Sequence, residues 1–176
     1  MNILLIGNMS TGKTSIAESL IKKGFIGEKQ FYSIDSLRRE YSDGTMAGEF
    51  YAWANMLEAV QHPHPTGNGI YEFSGTGKNA WFFRECIKYS KENHDVDWIV
   101  VYCLADRNVL MGRIKDKTYD VPLPYDLDPI KGVDYISAEL QKKYGSRYWN
   151  AREITVRTDQ NSPEEIADEI LKSINA

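Results

Sequence analysis

Gly7-Asn8-Met9-Ser10-Thr11-Gly12-Lys13-Thr14 matches G-x-x-x-x-G-K-[ST] in full, and it lies between the apolar run Ile3-Leu4-Leu5-Ile6 and a stretch of helical periodicity, residues 13–23. An apolar run without alternation reads as a strand buried on both faces. In the stretch that follows, Ile16, Ala17, Leu20 and Ile21 share one face and Gly24 supplies a stop. A glycine-rich turn between strand and helix lets successive N–H groups converge on anionic oxygens, and the helix N-terminus adds its partial positive charge. Gly7, Asn8, Met9, Ser10, Thr11, Gly12, Lys13, Thr14 and Ser15 are therefore expected to cradle the phosphates of ATP, with Lys13 reaching the β- and γ-phosphates. The Thr14 hydroxyl is the expected ligand of Mg²⁺.

Beyond this stretch, short apolar runs alternate with longer amphipathic stretches. Phe31 to Asp35, Ile70 to Phe73, Asp97 to Leu104 and Glu153 to Val156 read as further strands. Helical patterning covers 36–60 with a break near Asp43-Gly44, then 79–93, 107–115 and 133–143. The loops are His62 to Gly67 and the stretch holding Pro122, Pro124 and Pro129. Ser162-Pro163-Glu164-Glu165 announces a last helix through an N-cap serine, a proline at N1 and a capping-box glutamate. Strands alternating with helices predict an α/β fold whose parallel sheet is covered on both faces.

Composition narrows the function classes. The 176 residues, 42% hydrophobic and 26% charged, fit one globular domain spanning 1–176. No apolar run approaches the ~20 residues that cross a bilayer, and Cys86 and Cys103 lack metal spacing. The expected location is the cytoplasm, with no membrane partner. The net charge of −4 sits entirely beyond residue 158, where five acids meet one base; residues 1–158 carry 20 bases and 20 acids. Such a neutral body speaks against tight, sequence-blind duplex binding, while a nucleic-acid end held by a few residues stays open. His62, His64 and His94 show no metal-ligand spacing.

The loop alone does not separate switches, motors and kinases. A GTPase calls for D-x-x-G and N-K-x-D strings, and neither occurs; an acidic run of the motor ATPase type is also missing. The size and the pattern resemble the small P-loop kinases, the group containing shikimate kinase, the nucleoside monophosphate kinases and the polynucleotide kinases. Tyr32-Ser33-Ile34-Asp35-Ser36-Leu37-Arg38 is similar to their second-strand signature, an aspartate followed three residues later by arginine. The resemblance implies that Asp35 takes the acceptor hydroxyl's proton and Arg38 holds the substrate. It also implies a five-stranded sheet in the order 2-3-1-4-5. Leu104-Ala105-Asp106-Arg107 through Arg113 is similar to the helix leading into the family's lid, which places a short lid at about 113–132. By the same resemblance, Arg157-Thr158-Asp159 falls where related kinases pack the base.

The residues support these roles on physical grounds. A carboxylate at the end of the second strand lies on the sheet edge that carries the phosphate loop, where Asp35 could orient a hydroxyl, touch Mg²⁺ through water, or simply cap the next helix. Of Arg38 and Arg39, one is expected to be a surface charge. Glu72 lies among apolar neighbours and faces the acceptor, the Mg²⁺ shell or water. Ser74 to Asn79, centred on Gly75, is a second glycine-rich turn on the same edge, acceptor loop or plain turn. Arg113 is the expected lid cation for charge developing on the transferring phosphoryl group, with Arg107, Lys115 and Lys117 nearby. Tyr119, Tyr125 and Tyr144 to Trp149 stack on a base, belong to the core or make a subunit contact. The expected activity is transfer of the γ-phosphate of ATP to a hydroxyl of a small molecule such as a nucleoside or sugar. An alcohol is preferred to a phosphate because Asp35 has a role only where a proton must leave. The alternatives are a polynucleotide 5′-hydroxyl or modified-base acceptor, and a nucleotide-gated binding module without catalysis.

Overall fold

Strand β1 (Asn2–Gly7) is buried along its whole length because it has a neighbour on each edge and helices on each face. The computed structural model describes residues 1–27, 30–62 and 67–175, so most of the expected loop at His62 to Gly67, His64 included, lies outside the described residues. The order is β1, α1 (Lys13–Lys22), β2 (Phe31–Ser33), α2 (Ile34–Tyr41), α3 (Met46–Gln61), β3 (Gly69–Phe73), α4 (Gly77–His94), β4 (Trp98–Leu104), α5 (Arg107–Lys115), α6 (Pro129–Lys143), β5 (Arg152–Arg157) and α7 (Pro163–Ile174). All five strands are parallel and run in the order β2-β3-β1-β4-β5 across the sheet.

The period of two along β1 divides the core between two layers. Leu4 and Ile6 point into a cluster with Trp53 and Met56 of α3, Phe83 and Ile87 of α4, and Leu140 of α6. Ile3 and Leu5 point the other way, onto Ile16, Ala17 and Leu20 of α1 and Ile166, Ala167 and Ile170 of α7. Trp149 is fully buried in the first cluster and its indole N–H donates to the Tyr102 hydroxyl at 3.1 Å. Of the Tyr144 to Trp149 aromatics, it is therefore a core residue. Cys86 and Cys103 are free and buried. No helix among the described residues is long and apolar enough to cross a membrane.

Two boundaries differ from the sequence reading, and both matter to the site. Strand β2 ends at Ser33, so Asp35 is the second residue of α2 and not the end of a strand. Ser33 is the N-cap of that helix, and no side chain caps it. Pro129 opens α6 rather than extending the loop before it. The Asp128 carboxylate accepts from the N–H groups of Ile130 and Lys131, leaving proline at a first-turn position where its missing N–H costs nothing. Residues 116–128, the middle of the expected lid, form neither helix nor strand.

Candidate active site

β1 lies between β3 and β4, so the turn leaving its carboxyl end sits at the crevice where the sheet's connections diverge. Gly7 is required there: a Cβ would lie 2.4 Å from the Cys103 carbonyl oxygen of β4. Gly12, at φ +82°, turns the chain into α1, whose N-terminus has no side-chain cap and no acid in its first turn. Its orphan amides and dipole are thus directed at the loop's concave side. The buried Lys13 ammonium lies within that concavity, donating to the Asn8 carbonyl at 2.7 Å and the Gly7 carbonyl at 3.1 Å. The Asn8 side chain is buried against α6 instead, and its amide donates to Ser137 Oγ at 2.8 Å.

Beside Lys13, the Thr14 hydroxyl donates to the Glu72 carboxylate at 3.0 Å. β3 is an interior strand, so Glu72 is buried rather than at an edge. Burial pushes its carboxyl above the ordinary range; Lys13 and the Thr14 hydroxyl pull back and Asp35 adds to the rise. Met9, Ser10, Gly12, Lys13, Thr14, Ser15, Asp35, Glu72, Lys117 and Tyr119 surround one cavity of about 160 Å³. The expected trio of Lys13, Thr14 and Asp35 does converge, and Glu72 joins it.

A second cavity, about 150 Å³, shares Lys13, Asp35, Glu72 and Tyr119 with the first. Its remaining walls combine Trp53, Phe73, Tyr125, Leu127 and Ile136 with the polar Ser33, Ser74 and Arg38. Arg38 reaches it already paired. The guanidinium donates to both oxygens of Glu49, from Nε at 2.8 Å and Nη2 at 2.5 Å, and to Asp35 from Nη1 at 3.1 Å. Burial opposes its charge, but Glu49, with smaller help from Tyr125 and Asp35, outweighs burial and holds it above the usual arginine range. Glu49 in turn accepts from the Trp53 indole at 2.9 Å. Asp35 is thus oriented by a clamp whose far end lies on α3. The clamp is legible only as an i, i+3 pair (Asp35, Arg38) and an i, i+4 pair (Glu49, Trp53) on separate helices. Arg39 is the exposed member of the arginine pair and donates to the Asp120 carbonyl at 3.2 Å.

Gly75 lines neither cavity. It sits at φ +79° with Ile6 so near that a Cβ would lie 2.8 Å from that residue's Cβ, and its carbonyl accepts from Lys143. It is a packing glycine of the turn after β3. Arg113 also departs from its expected place. Its guanidinium donates to the Ser10 carbonyl at 3.2 Å and to the Thr158 carbonyl at 2.8 Å, on the outer flank of the loop. With Ser15, Thr158, Asn161 and Pro163 it lines a third, wider cavity of about 380 Å³. Lys117 borders both this cavity and the one holding Lys13 and Glu72. Arg157 is engaged by Asp106 and Asp159 at the end of β5.

No protein-family model and no curated protein matches the chain. Solved structures do share its fold. A sugar kinase from Janibacter sp. is 14% identical with a TM-score of 0.65, covering 99% of this chain and 94% of its own. Shikimate kinase from Aquifex aeolicus is 22% identical with a TM-score of 0.55, covering 99% and 96%. Deoxyadenosine kinase from M. mycoides, with bound dATP, is 13% identical with a TM-score of 0.59, covering the whole of both chains. The fold is that of the small P-loop kinases.

Proposed function

We propose that the chain is an ATP-dependent kinase that transfers the γ-phosphate to a hydroxyl of a small ring-bearing alcohol. The observation that carries this reading is the junction of two cavities at Asp35: on one side lie Lys13, Thr14 and the uncapped start of α1, on the other Trp53, Phe73 and Tyr125. Phosphates fit the first side and an acceptor the second, with a carboxylate between them. The kinases of the same fold named above support the class of reaction.

In this reading the base lies in the wide cavity against Arg113 and Thr158, and the phosphates run past Lys117 into the loop. Lys13 leaves the carbonyls it now contacts and meets the β- and γ-phosphates. Thr14 Oγ1 and a Glu72 oxygen are adjacent hard oxygen donors, a fitting set for Mg²⁺ once phosphate oxygens complete the shell. Bound there, Mg²⁺ supplies charge neutralisation for the phosphates. Asp35, held by Arg38, accepts the proton of the acceptor hydroxyl as its oxygen approaches the γ-phosphorus. Lys13 and Lys117 face the charge that spreads over the transferring oxygens.

The acceptor cavity also limits its occupant. Its arginine is spent on Glu49 and Asp35, which disfavours an acceptor carrying a carboxylate, and its aromatic walls favour a planar ring over a polyol. A nucleoside meets both conditions. The test is γ-labelled ATP offered with Mg²⁺ against nucleosides, sugars and 5′-hydroxyl oligonucleotides. Label on a nucleoside is the expected result. Label only on oligonucleotides would move the acceptor to nucleic acid, and ATP binding without transfer to any hydroxyl would make the chain a binding module.

A further inference from the structure

We propose that the chain phosphorylates itself in cis on Tyr119, whose hydroxyl stands where an acceptor hydroxyl must stand. Tyr119 belongs to the segment 116–128 between α5 and α6, and its hydroxyl donates to Asp35 Oδ1 at 3.0 Å. It lines both the cavity of Lys13, Thr14 and Glu72 and the neighbouring acceptor cavity. A hydroxyl acceptor in this site has two requirements: its proton must point at the base, and its oxygen must face the phosphate held by the loop. The Tyr119 oxygen meets the first and shares a cavity with the groups that serve the second.

The segment is delivered by the fold rather than by diffusion. Arg39 of α2 donates to the Asp120 carbonyl at 3.2 Å, and the Ser42 hydroxyl donates to the Pro122 carbonyl at 3.3 Å. An oxygen held close by contacts one and three residues along its own segment competes with any free alcohol at a high effective concentration. Tyr125, the other tyrosine of the segment, also reaches the acceptor cavity but is 54% exposed and makes no hydrogen bond to Asp35. Burial, and the nearby Asp35 charge, keep the Tyr119 phenol protonated well beyond the usual range, so it serves Asp35 as a donor. A loose phosphoryl-transfer transition state does not need the nucleophile ionised beforehand.

The step rests on the kinase reading given above, which supplies the ATP. A bond forms between Tyr119 Oη and the γ-phosphorus while the bond from that phosphorus to the bridging oxygen breaks. ADP departs with the electron pair, and the phenolic proton passes to Asp35. The phosphotyrosine has no hydrogen left for Asp35 and sets a dianion against it. Modification therefore detaches the segment from the base and opens the acceptor cavity.

The experiment incubates the full chain with γ-labelled ATP and Mg²⁺, follows label per chain and ATP consumed in one sample, and maps the site by tandem mass spectrometry. We expect close to one phosphate per chain, on Tyr119, with a first-order rate constant unchanged over about 100-fold dilution of the protein. Asp35→Asn should slow labelling by ~10²-fold, and Tyr119→Phe should remove it. Three results overturn the inference. Turnover of ATP or labelling of a nucleoside with Tyr119 unmodified refutes it and leaves the kinase reading standing. A rate constant that rises with protein concentration assigns the phosphate to a second copy and refutes transfer in cis. Neither turnover nor transfer, with ATP bound, removes the kinase reading and this inference with it.

Discussion

Glu49→Gln keeps the shape of the Arg38 clamp and removes its charge. The Arg38 and Glu49 side chains are only 10% and 13% exposed, so the guanidinium would remain desolvated with its main counter-charge gone. Breaking a buried pair by removing one partner costs about 3–5 kcal/mol. Here Asp35 remains on Nη1 and a glutamine oxygen can still accept from Nε, so the cost falls below that range, at about 2–3 kcal/mol. For a chain of this length, each kcal/mol lowers the melting temperature by about 2–4 °C, which predicts a fall of about 5–10 °C. Urea unfolding should show the midpoint displaced with the slope unchanged, marking lost stability rather than a changed unfolded state. Nucleotide affinity should hold, because Glu49 touches neither the loop nor the wide cavity, while transfer falls as Asp35 loses its orientation. The double variant Arg38→Met/Glu49→Leu separates the two effects: apolar replacement should restore the midpoint and leave transfer low. A wild-type urea midpoint for Glu49→Gln would refute the clamp.

Glu72→Gln should raise the melting temperature by a few degrees while impairing Mg²⁺-dependent transfer, because burial disfavours the ionised carboxylate. The wild-type penalty exists only where Glu72 is ionised, so the gain should shrink as pH falls toward the carboxylate range, a trend that melts at several pH values would check. Arg113→Ala should raise the KM for ATP with kcat little changed, whereas Lys117→Ala should lower kcat about tenfold or more; steady-state kinetics of the two variants would reverse this pattern if Arg113 were the group at the phosphoryl. Gly75→Ala should cost about 1–3 kcal/mol in urea unfolding, since a Cβ there meets Ile6 and the backbone has positive φ.

The parts of this molecule that announce themselves locally were readable from the chain alone. The G-x-x-x-x-G-K-[ST] string sits between an apolar run and a periodic stretch, and α5 occupies 107–115 as its pattern predicts. The capping box at Ser162 and Glu165 forms as its spacing predicts. The misses arise where a residue type suits two structures. Ile34 is as suitable for a buried helix face as for a strand, so nothing local marks β2 as ending at Ser33, and Asp35 moves into α2. Pro129 reads as a loop residue until Asp128 is seen to cap the helix it opens.

The remaining differences are non-local. An arginine three residues after an aspartate looks like a substrate grip, yet Glu49 arrives from another helix and takes it. Arg113 lies at the mouth of the expected lid in sequence, but α5 directs its guanidinium to Ser10 and Thr158 on the loop's far flank. Tyr119 carried no motif at all. Its meeting with Asp35 depends on how residues 116–128 lie across α2, which no spacing encodes.

On the proposed mechanism, the Asp35 carboxylate at the junction of the two cavities serves the transfer of phosphate and not the binding of nucleotide. The decisive comparison titrates Mg-ATP into the wild-type chain and into Asp35→Ala and measures γ-phosphate transfer on the same preparations. The two nucleotide dissociation constants should lie within about twofold of each other, with transfer by Asp35→Ala reduced ~10²-fold or more. Equal transfer by the two proteins would contradict it.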